Sequence, residues 1–118
     1  MAIQTFREII AWQKAHELVL AVYKITDDFP KKEDFVLTSQ IRRCAISIAS
    51  NIAEGFKRKT KNDSLHFYNI AQGSLEELKY QLLLGKDLRY IADKDYSEVS
   101  ATTEEVGKLL HGWMKIQR

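Results

Sequence analysis

The helical spacing of apolar residues along nearly the whole chain is the feature that most limits how this sequence can fold. The chain has a single proline, Pro30, and five glycines among its 118 residues. In four segments, apolar residues recur three and four positions apart, which places them on one face of an α-helix. The alternation between turn clusters that is typical of β-strands does not occur. The sequence therefore predicts an all-α protein.

Four helices are predicted in a single domain of residues 1–118, at about residues 6–28, 36–57, 61–89 and 94–117. Thr5 with Glu8, and Thr60 with Asp63, have the spacing of capping boxes at the starts of the first and third helices. Pro30 ends the first helix, because it disfavours the helical conformation of the residue before it. The connections are short, so we expect an up-down-up-down antiparallel four-helix bundle.

Each predicted helix carries an apolar stripe that is expected to form the core. The stripes are Trp12, Ala15, Leu18, Val22, Ile25 and Phe29; Leu37, Ile41, Cys44, Ile48 and Ile52; Tyr68, Ala71, Leu75, Leu78, Leu82 and Gly85; and Val99, Thr103, Val106, Leu110, Trp113 and Met114 or Ile116. Further apolar residues lie beside the first two stripes, at Ile9, Ile10, Val19 and Leu20 and at Ile46, Ala49 and Ala53. A bundle buries one side of each helix, so this surplus predicts a subunit interface.

Composition excludes several classes of protein. Apolar residues make up 45% of the chain and charged residues 29%, which is the balance of a folded domain and not of a disordered one. No apolar run approaches the roughly 20 residues that span a bilayer, and one cysteine permits no internal disulfide. A cytoplasmic protein without a membrane partner is therefore expected.

No catalytic, metal or cofactor site is predicted. His16, His66 and His111 share no metal-ligand spacing, and no glutamate is followed three residues later by histidine. Cys44 lies on the core stripe of the second helix, which suits a buried apolar side chain better than a reactive thiol. Motifs for nucleotide binding or nucleophilic catalysis do not occur. We therefore expect no enzyme.

A polar stripe follows one face of the second helix, and it consists of Gln40, Arg43, Ser47, Asn51 and Glu54. A solvated helix face normally carries lysine and glutamate, whereas serine and asparagine are poor helix formers that permit close approach. Packing or an interface is the favoured interpretation. A ligand site and a plain solvated face remain open.

The third helix offers a partner for this stripe. Gly73 lies in mid-helix, where glycine costs about 1 kcal/mol relative to alanine, and Ser74 follows it. A closely approaching backbone would compensate for the glycine. Across such a contact, we predict that Arg43 pairs with Glu77.

Positive charge is concentrated in one quarter of the chain. Residues 31–62 hold eight basic and three acidic residues, although the net charge of the whole chain is only +2. Candidate nucleic-acid ligands are Arg42, Arg43, Lys57, Arg58, Lys59 and Lys61. Lysines near a helix C-terminus also complement the helix dipole, so phosphate binding and capping both remain open. No aromatic platform for bases adjoins them, so phosphate contacts with little sequence preference are expected.

Residues 37–56, with the sequence LTSQIRRCAISIASNIAEGF, closely resemble the signature of the 23S rRNA-intervening sequence proteins. The stretches WQKA at residues 12–15 and AQGSLEEL at 71–78 extend the resemblance over residues 6–91. It implies a four-helix bundle without enzymatic activity that assembles into a homopentamer. By position, it implies packing or assembly roles for Gln40, Ser47, Asn51, Glu54, Gly55, Gly73, Ser74 and Glu77.

The family is similar to the accessory variability protein of diversity-generating retroelements. That similarity implies RNA or DNA, and a nucleic-acid enzyme, as further partners. The leading hypothesis is a non-enzymatic homo-oligomer that binds nucleic acid or scaffolds such an enzyme. The alternative is a structural or protein-partner adaptor that binds through the wide apolar face and has no nucleic-acid role.

Overall fold

Four α-helices account for most of the chain in the computed structural model, which describes residues 2–116. In chain order they are α1 (Ile10–Thr26), α2 (Leu37–Phe56), α3 (Lys61–Asp87) and α4 (Asp93–Ile116). Short 3-10 turns at Phe6–Glu8 and Lys31–Glu33 precede α1 and α2. No strand occurs among residues 2–116. The predicted all-α four-helix bundle is confirmed.

The helices pack in a square in chain order. α1 and α3 each pack beside α2 and α4, and among the described residues no Cα atoms of the two diagonal pairs lie within 8 Å of each other. Between α2 and α3, Ser64 bonds to Gly55 and Ser74 to Ser47, so residue numbers rise along one helix and fall along the other. Contacts between α1 and α2, between α3 and α4, and between α1 and α4 show the same opposite running of residue numbers. Successive helices are therefore antiparallel, and the bundle is 44 Å long.

The first helix starts later than the sequence predicts. The Glu8 carboxylate accepts hydrogen bonds at 3.0 Å from the backbone N–H groups of Gln4 and Thr5, but the turn that it caps is only three residues long. Ile9 then adopts an extended conformation, with ψ at 119°, and its side chain enters the core. As a result α1 begins at Ile10 and not at residue 6. It ends at Thr26, two residues before the predicted end.

The ends of the other helices have identifiable causes. At the start of α3, the Thr60 hydroxyl accepts a hydrogen bond of 3.1 Å from the backbone N–H of Asp63, as the sequence predicts. α3 ends at Asp87, before the predicted residue 89, because Arg89 is in the left-handed region with φ at 66°. The Tyr90 N–H then donates to the Gly85 carbonyl at 2.9 Å and closes the helix. The predicted last residue of the fourth helix, 117, lies outside the described residues.

The core contains the predicted stripes of α2 and α3 complete. On α1 the predicted Ala15, Leu18 and Val22 are buried, as is Phe29 after the helix, whereas Ala11 and Thr26 are buried in place of Trp12 and Ile25. The bulky Trp12 lies at the edge of the core, where it is only partly buried. On α4, Met114 is buried and Ile116 is exposed. Of the surplus apolar residues, Ile9 and Ala49 join the core, whereas Ile10 and Leu20 are 60% and 58% exposed.

Candidate nucleic-acid interface and α2–α3 groove

The turn between α2 and α3 presents a cluster of cations to solvent. α2 ends at Phe56, and Thr60 caps the start of α3. Four basic residues lie on the tight turn between them or directly after it. These residues, all exposed, are Lys57, Arg58, Lys59 and Lys61. Because their backbone is fixed on both sides by helices, their charges are held together at one end of the bundle.

Arg58 differs from the three lysines because it is held by its own protomer. Its guanidinium forms an ion pair with Glu54, one turn earlier on α2. It also lies 4.7 Å from the centre of the Phe67 ring, within the range of a cation–π contact. For the lysines of the turn, no ion pair occurs within the described part of the chain. They are the charges most available to a phosphate.

The two ends of the bundle differ in charge. The 3-10 turn before α1 packs beside the end of α2, and the end of α4 packs beside the start of α3. This arrangement brings six basic and three acidic residues to one end, which we call the basic end: Arg7, Lys57, Arg58, Lys59, Lys61 and Lys115, with Glu8, Glu54 and Asp63. The opposite end is close to neutral, with seven acidic and six basic residues: Asp27, Asp28, Glu33, Asp34, Asp87, Asp93 and Asp95, with Lys24, Lys31, Lys32, Lys86, Arg89 and Lys94.

The adjacent Arg42 and Arg43 point to different sides of α2. Arg42 faces α1, where its guanidinium donates to the Thr26 hydroxyl at 2.8 Å and pairs with Asp27 at 3.1 Å. It also lies over the Tyr23 ring at 4.4 Å. Arg43 is exposed on the α3 side and forms no ion pair with any described residue. The structure therefore separates both arginines from the basic end and from each other.

The polar stripe of α2 forms one wall of a groove of about 520 Å³ against α3. In it, the Ser47 and Ser74 hydroxyls are 2.8 Å apart, and the Asn51 amide donates to the Ser47 carbonyl and hydroxyl at 2.8 and 3.0 Å. We call this the α2–α3 groove, which is lined by Phe35, Ser39, Gln40, Arg43, Cys44, Ser47, Ser74, Glu77 and Gln81. The serines bring the two helices close together, so the stripe is neither plain solvent surface nor core.

The floor of the groove holds a thiol and an amide. Burial, with the Glu77 carboxylate beside it, raises the pKa of the Cys44 thiol to about 11, so the thiol stays protonated at neutral pH. Gln81 is 5% exposed, and its amide donates a long hydrogen bond of 3.5 Å to Glu77. Its Oε1 atom is buried and has no hydrogen-bond partner in the described chain. The protonated thiol is a poor nucleophile, and the groove offers an acceptor without a donor.

Two sequence expectations about this surface do not hold within one protomer. A β-carbon added at Gly73 would meet nothing within 4 Å, so the predicted close backbone approach there does not occur in the single chain. Arg43 and Glu77 line the same groove, but no ion pair joins them. Antiparallel packing places them on the outer rims of α2 and α3, and the two serines occupy the contact line between these helices.

Gly55 is the packing glycine of the α2–α3 pair. A β-carbon there would lie 2.5 Å from the Cε1 atom of Tyr68, whose ring is fully buried. The Ser64 hydroxyl donates to the Gly55 carbonyl at 2.8 Å and holds the same crossing. Of the five glycines, Gly55 leaves the least room for a β-carbon.

Sequence reasoning missed three residues of the groove, namely Phe35, Ser39 and Gln81. Phe35 lies at the rim of the groove and is 95% exposed. Its apolar side chain gave no sequence signal of this exposure. Gln81 lies seven residues after Ser74, which is two turns along the same face of α3. From that spacing, Gln81 could have been assigned to the same groove as Ser74.

Two kinds of feature are not found among residues 2–116. No group of three or more histidine, cysteine, aspartate or glutamate side chains is arranged to hold a metal ion. No helix in this part of the chain is long and apolar enough to cross a membrane.

Comparison with known proteins assigns the chain to a family. The crystal structure of a protein of unknown function from the S23 ribosomal protein family of Bacteroides thetaiotaomicron VPI-5482 is similar to it, with a TM-score of 0.80 and 28% sequence identity. The similarity covers 90% of this chain and 99% of that one. No curated protein matches the chain. A family model described as 23S rRNA-intervening sequence protein matches residues 7–112. The chain therefore belongs to the 23S rRNA-intervening sequence protein family.

Proposed function

We propose that this protein is a non-enzymatic, homo-oligomeric helical bundle that binds RNA or DNA through phosphate contacts at its basic end. The observation that carries the proposal is the cluster of exposed lysines at Lys57, Lys59 and Lys61, on a turn fixed between two helices. Capping of α2 needs fewer cations than the turn presents, because the dipole acts within the last turn of a helix. The surplus supports an anionic partner.

The chemistry of the basic end favours backbone contacts over base readout. Lysine is a flexible point charge that binds phosphate without reading a base edge. The one nearby aromatic ring in cation–π contact, Phe67, is engaged by Arg58. Contacts of this kind are weak for one protomer. Self-association would raise the effective concentration of the other basic ends once one end is bound.

Charge reversal at the turn tests this proposal. We expect Lys57, Lys59 and Lys61→Glu together to weaken binding of a labelled single-stranded RNA 20-mer at least tenfold at low salt, measured by fluorescence anisotropy. The slope of log affinity against log salt should fall by about 2, at about 0.7 per phosphate contact. The matched control is Lys24, Lys31 and Lys32→Glu at the opposite end, where the lysines are equally exposed.

The control should retain the wild-type affinity and slope. Absence of binding at low salt, a binding constant that does not depend on salt, or an equal loss in both variants would contradict the proposal. Light scattering after size exclusion, with the nucleic-acid absorbance recorded on the same peak, tests self-association independently.

A protein-partner adaptor is the second candidate, because the chain exposes large apolar side chains. Ile10 and Leu20 are more than half exposed on α1, and Phe35 is almost fully exposed before α2. The wide apolar face of the first two helices in the sequence predicts such a surface. An adaptor that binds a partner protein, including a nucleic-acid enzyme, through these residues would keep that partner after charge reversal at the turn.

A further inference from the structure

A second groove of about 520 Å³ lies between α1 and α4, on the side of the bundle opposite the α2–α3 groove. We call it the α1–α4 groove. Its floor is apolar, because Ile91 and Val99 are buried there and Ala21 and Ile25 are partly buried. The last turns of α1 and the first turns of α4 line it, so it lies towards the end of the bundle that is far from the basic end.

Carboxylates line the mouth of the α1–α4 groove. Asp28 follows α1, and Asp95 and Glu98 lie in the first two turns of α4; all three are exposed. Among residues 2–116, none of these carboxylates has an ion pair or a hydrogen bond. Lys24 is the one basic residue that lines the groove, so its charged residues give a formal net charge of −2.

The rest of the seam between α1 and α4 shows how this chain balances such carboxylates. Nearer the basic end, the Lys14 ammonium lies 3.1 Å from the carboxylate of Glu17 on α1 and 3.4 Å from that of Glu105 on α4. Lys79 has the same place between α3 and α4. In the α1–α4 groove, no cation of the described chain pairs with the carboxylates on either side. A complementary cation for this groove therefore has to come from another molecule.

We propose that the α1–α4 groove binds an amphipathic, cationic segment of a partner protein. Apolar side chains of that segment lie against the floor, and its lysine or arginine side chains pair with Asp28, Asp95 and Glu98. The inference does not depend on the proposed nucleic-acid binding or on self-association, because it concerns a different surface.

The floor and the mouth of the groove together favour this occupant. A nucleic acid would meet a net negative charge, and a hydrated metal ion would gain nothing from the apolar floor. Lysine and arginine combine an aliphatic stem with a charged head, so they cover apolar surface while the charge stays at the wet rim. Because the groove and the basic end lie towards opposite ends of a bundle 44 Å long, the segment and a nucleic acid can be bound at the same time.

A designed peptide tests the charge complementarity. The probe is a fluorescein-labelled helical peptide of leucine and lysine, and its affinity is measured by fluorescence anisotropy at low salt. We expect the triple variant Asp28→Asn, Asp95→Asn and Glu98→Gln to bind the peptide about tenfold more weakly, because the complementary charges are lost. The matched control removes three exposed carboxylates at the same end of the bundle but outside the groove, and it should keep the wild-type affinity: Asp34→Asn, Asp87→Asn and Asp93→Asn.

A cation introduced into the chain gives a second test. Thr102 lines the groove one turn after Glu98, so a lysine at this position has a favourable spacing to pair with Glu98. Thr102→Lys should therefore stay folded, as measured by circular dichroism, and should also bind the peptide about tenfold more weakly. Its control is Ser97→Lys, exposed on α4 outside the groove.

A second peptide tests the apolar floor. In it, alanine replaces every leucine, so the charge and the helical propensity are kept while apolar surface is removed. The wild type should bind this peptide about tenfold more weakly than the leucine peptide, because less apolar surface is buried.

Each result supports or overturns the inference. Loss of peptide binding in both groove variants, with retention in both controls, supports it. Wild-type affinity in the groove variants, an equal loss in the controls, or equal affinity for the two peptides overturns it. If the groove variants and not the controls lose self-association in light scattering after size exclusion, then a second copy occupies the groove and the inference is wrong.

Discussion

α2 borders two grooves of opposite chemistry, one against α1 and one against α3. The groove on the α1 side is lined mainly by apolar and aromatic side chains, and there Trp12 stacks on His16 at 5.1 Å and meets Phe6 edge-on at 4.8 Å. The α2–α3 groove is lined mainly by hydroxyl, amide and charged groups. The two sides of α2 therefore differ in the groups that they present.

The neighbouring arginines of α2 show the same difference at the level of single residues. Arg42, on the α1 side, uses its donors on Thr26, Asp27 and the Tyr23 carbonyl. Arg43, on the α3 side, has no ion pair among the described residues. Arg42 is therefore part of the folded protomer, whereas the exposed Arg43 is solvated and available to a partner.

The largest effect is expected at the closest contact of the α2–α3 pair. Gly55→Ala places a methyl group against the buried Tyr68 ring and should lower the free energy of unfolding by about 2–3 kcal/mol in urea denaturation. The control is Gly112→Ala, where a β-carbon meets nothing within 4 Å and stability should not fall. Equal stability of the two variants would mean that α2 and α3 approach less closely than described.

The Cys44 thiol at the floor of the α2–α3 groove should react slowly. A pKa of about 11 against an ordinary value of 9.0 leaves about a hundredfold less thiolate at pH 8. Cys44 should therefore react with a disulfide reagent about a hundredfold more slowly in the native chain than in urea. Fast native labelling would show that the groove floor is open.

The same shift sets the sign of a pH effect on stability. Because the pKa of Cys44 is raised in the folded state, the protonated thiol contributes fully to the free energy of unfolding below about pH 9. This contribution is lost as the pH rises towards about 11. Tyrosines and lysines also titrate in this window. The difference between the stability curves of the wild type and Cys44→Ala isolates the thiol, and a constant difference from pH 8 to 11 would contradict the assignment.

The two arginines should respond differently to truncation. Arg42→Ala removes hydrogen bonds to Thr26 and Asp27 inside one chain and should cost about 1–2 kcal/mol of stability. Its melting temperature should fall by the same amount at every protein concentration. Arg43→Ala truncates an exposed side chain without an ion pair among the described residues, so stability should change by less than about 0.5 kcal/mol. Indistinguishable behaviour would remove the contrast between the two sides of α2.

The smallest effect is expected at the exposed glycine of α3. Gly73→Ala should raise the stability of the protomer by about 0.5–1 kcal/mol, because alanine favours a helix and meets no neighbour in the chain. Urea denaturation at low protein concentration measures the gain, and a loss of stability would show that Gly73 has a close neighbour.

The fold followed from the sequence wherever apolar spacing alone decided it. The stripes of α2 and α3 are buried as predicted because aliphatic residues form an unbroken seam along both helices. The start of α1 did not follow, because Thr5 and Glu8 satisfy the spacing rule of a capping box and cap a 3-10 turn instead. Local spacing identifies a cap but not the length of the helix that follows the cap.

The candidate site was less predictable because its chemistry depends on partners distant in sequence. Arg42 and Arg43 are equivalent by position, and only the fold places Arg42 beside Thr26, 16 residues away. Phe35 is apolar, and the sequence contains no sign that it would be almost fully exposed. The spacing of the polar stripe was visible in the sequence. Only the tertiary structure shows which of its residues have hydrogen-bond partners within the chain.

The separation of charge between the two ends of the bundle gains importance in a ring of copies. If the copies are related by an axis parallel to the helices, every basic end lies on the same side of the assembly. The result is a disc with one positively charged face. A polyanion would orient such a disc as it approaches, because the field of the whole assembly, and not of one turn, steers the encounter. The opposite face would then stay accessible to a different molecule while the nucleic acid is bound.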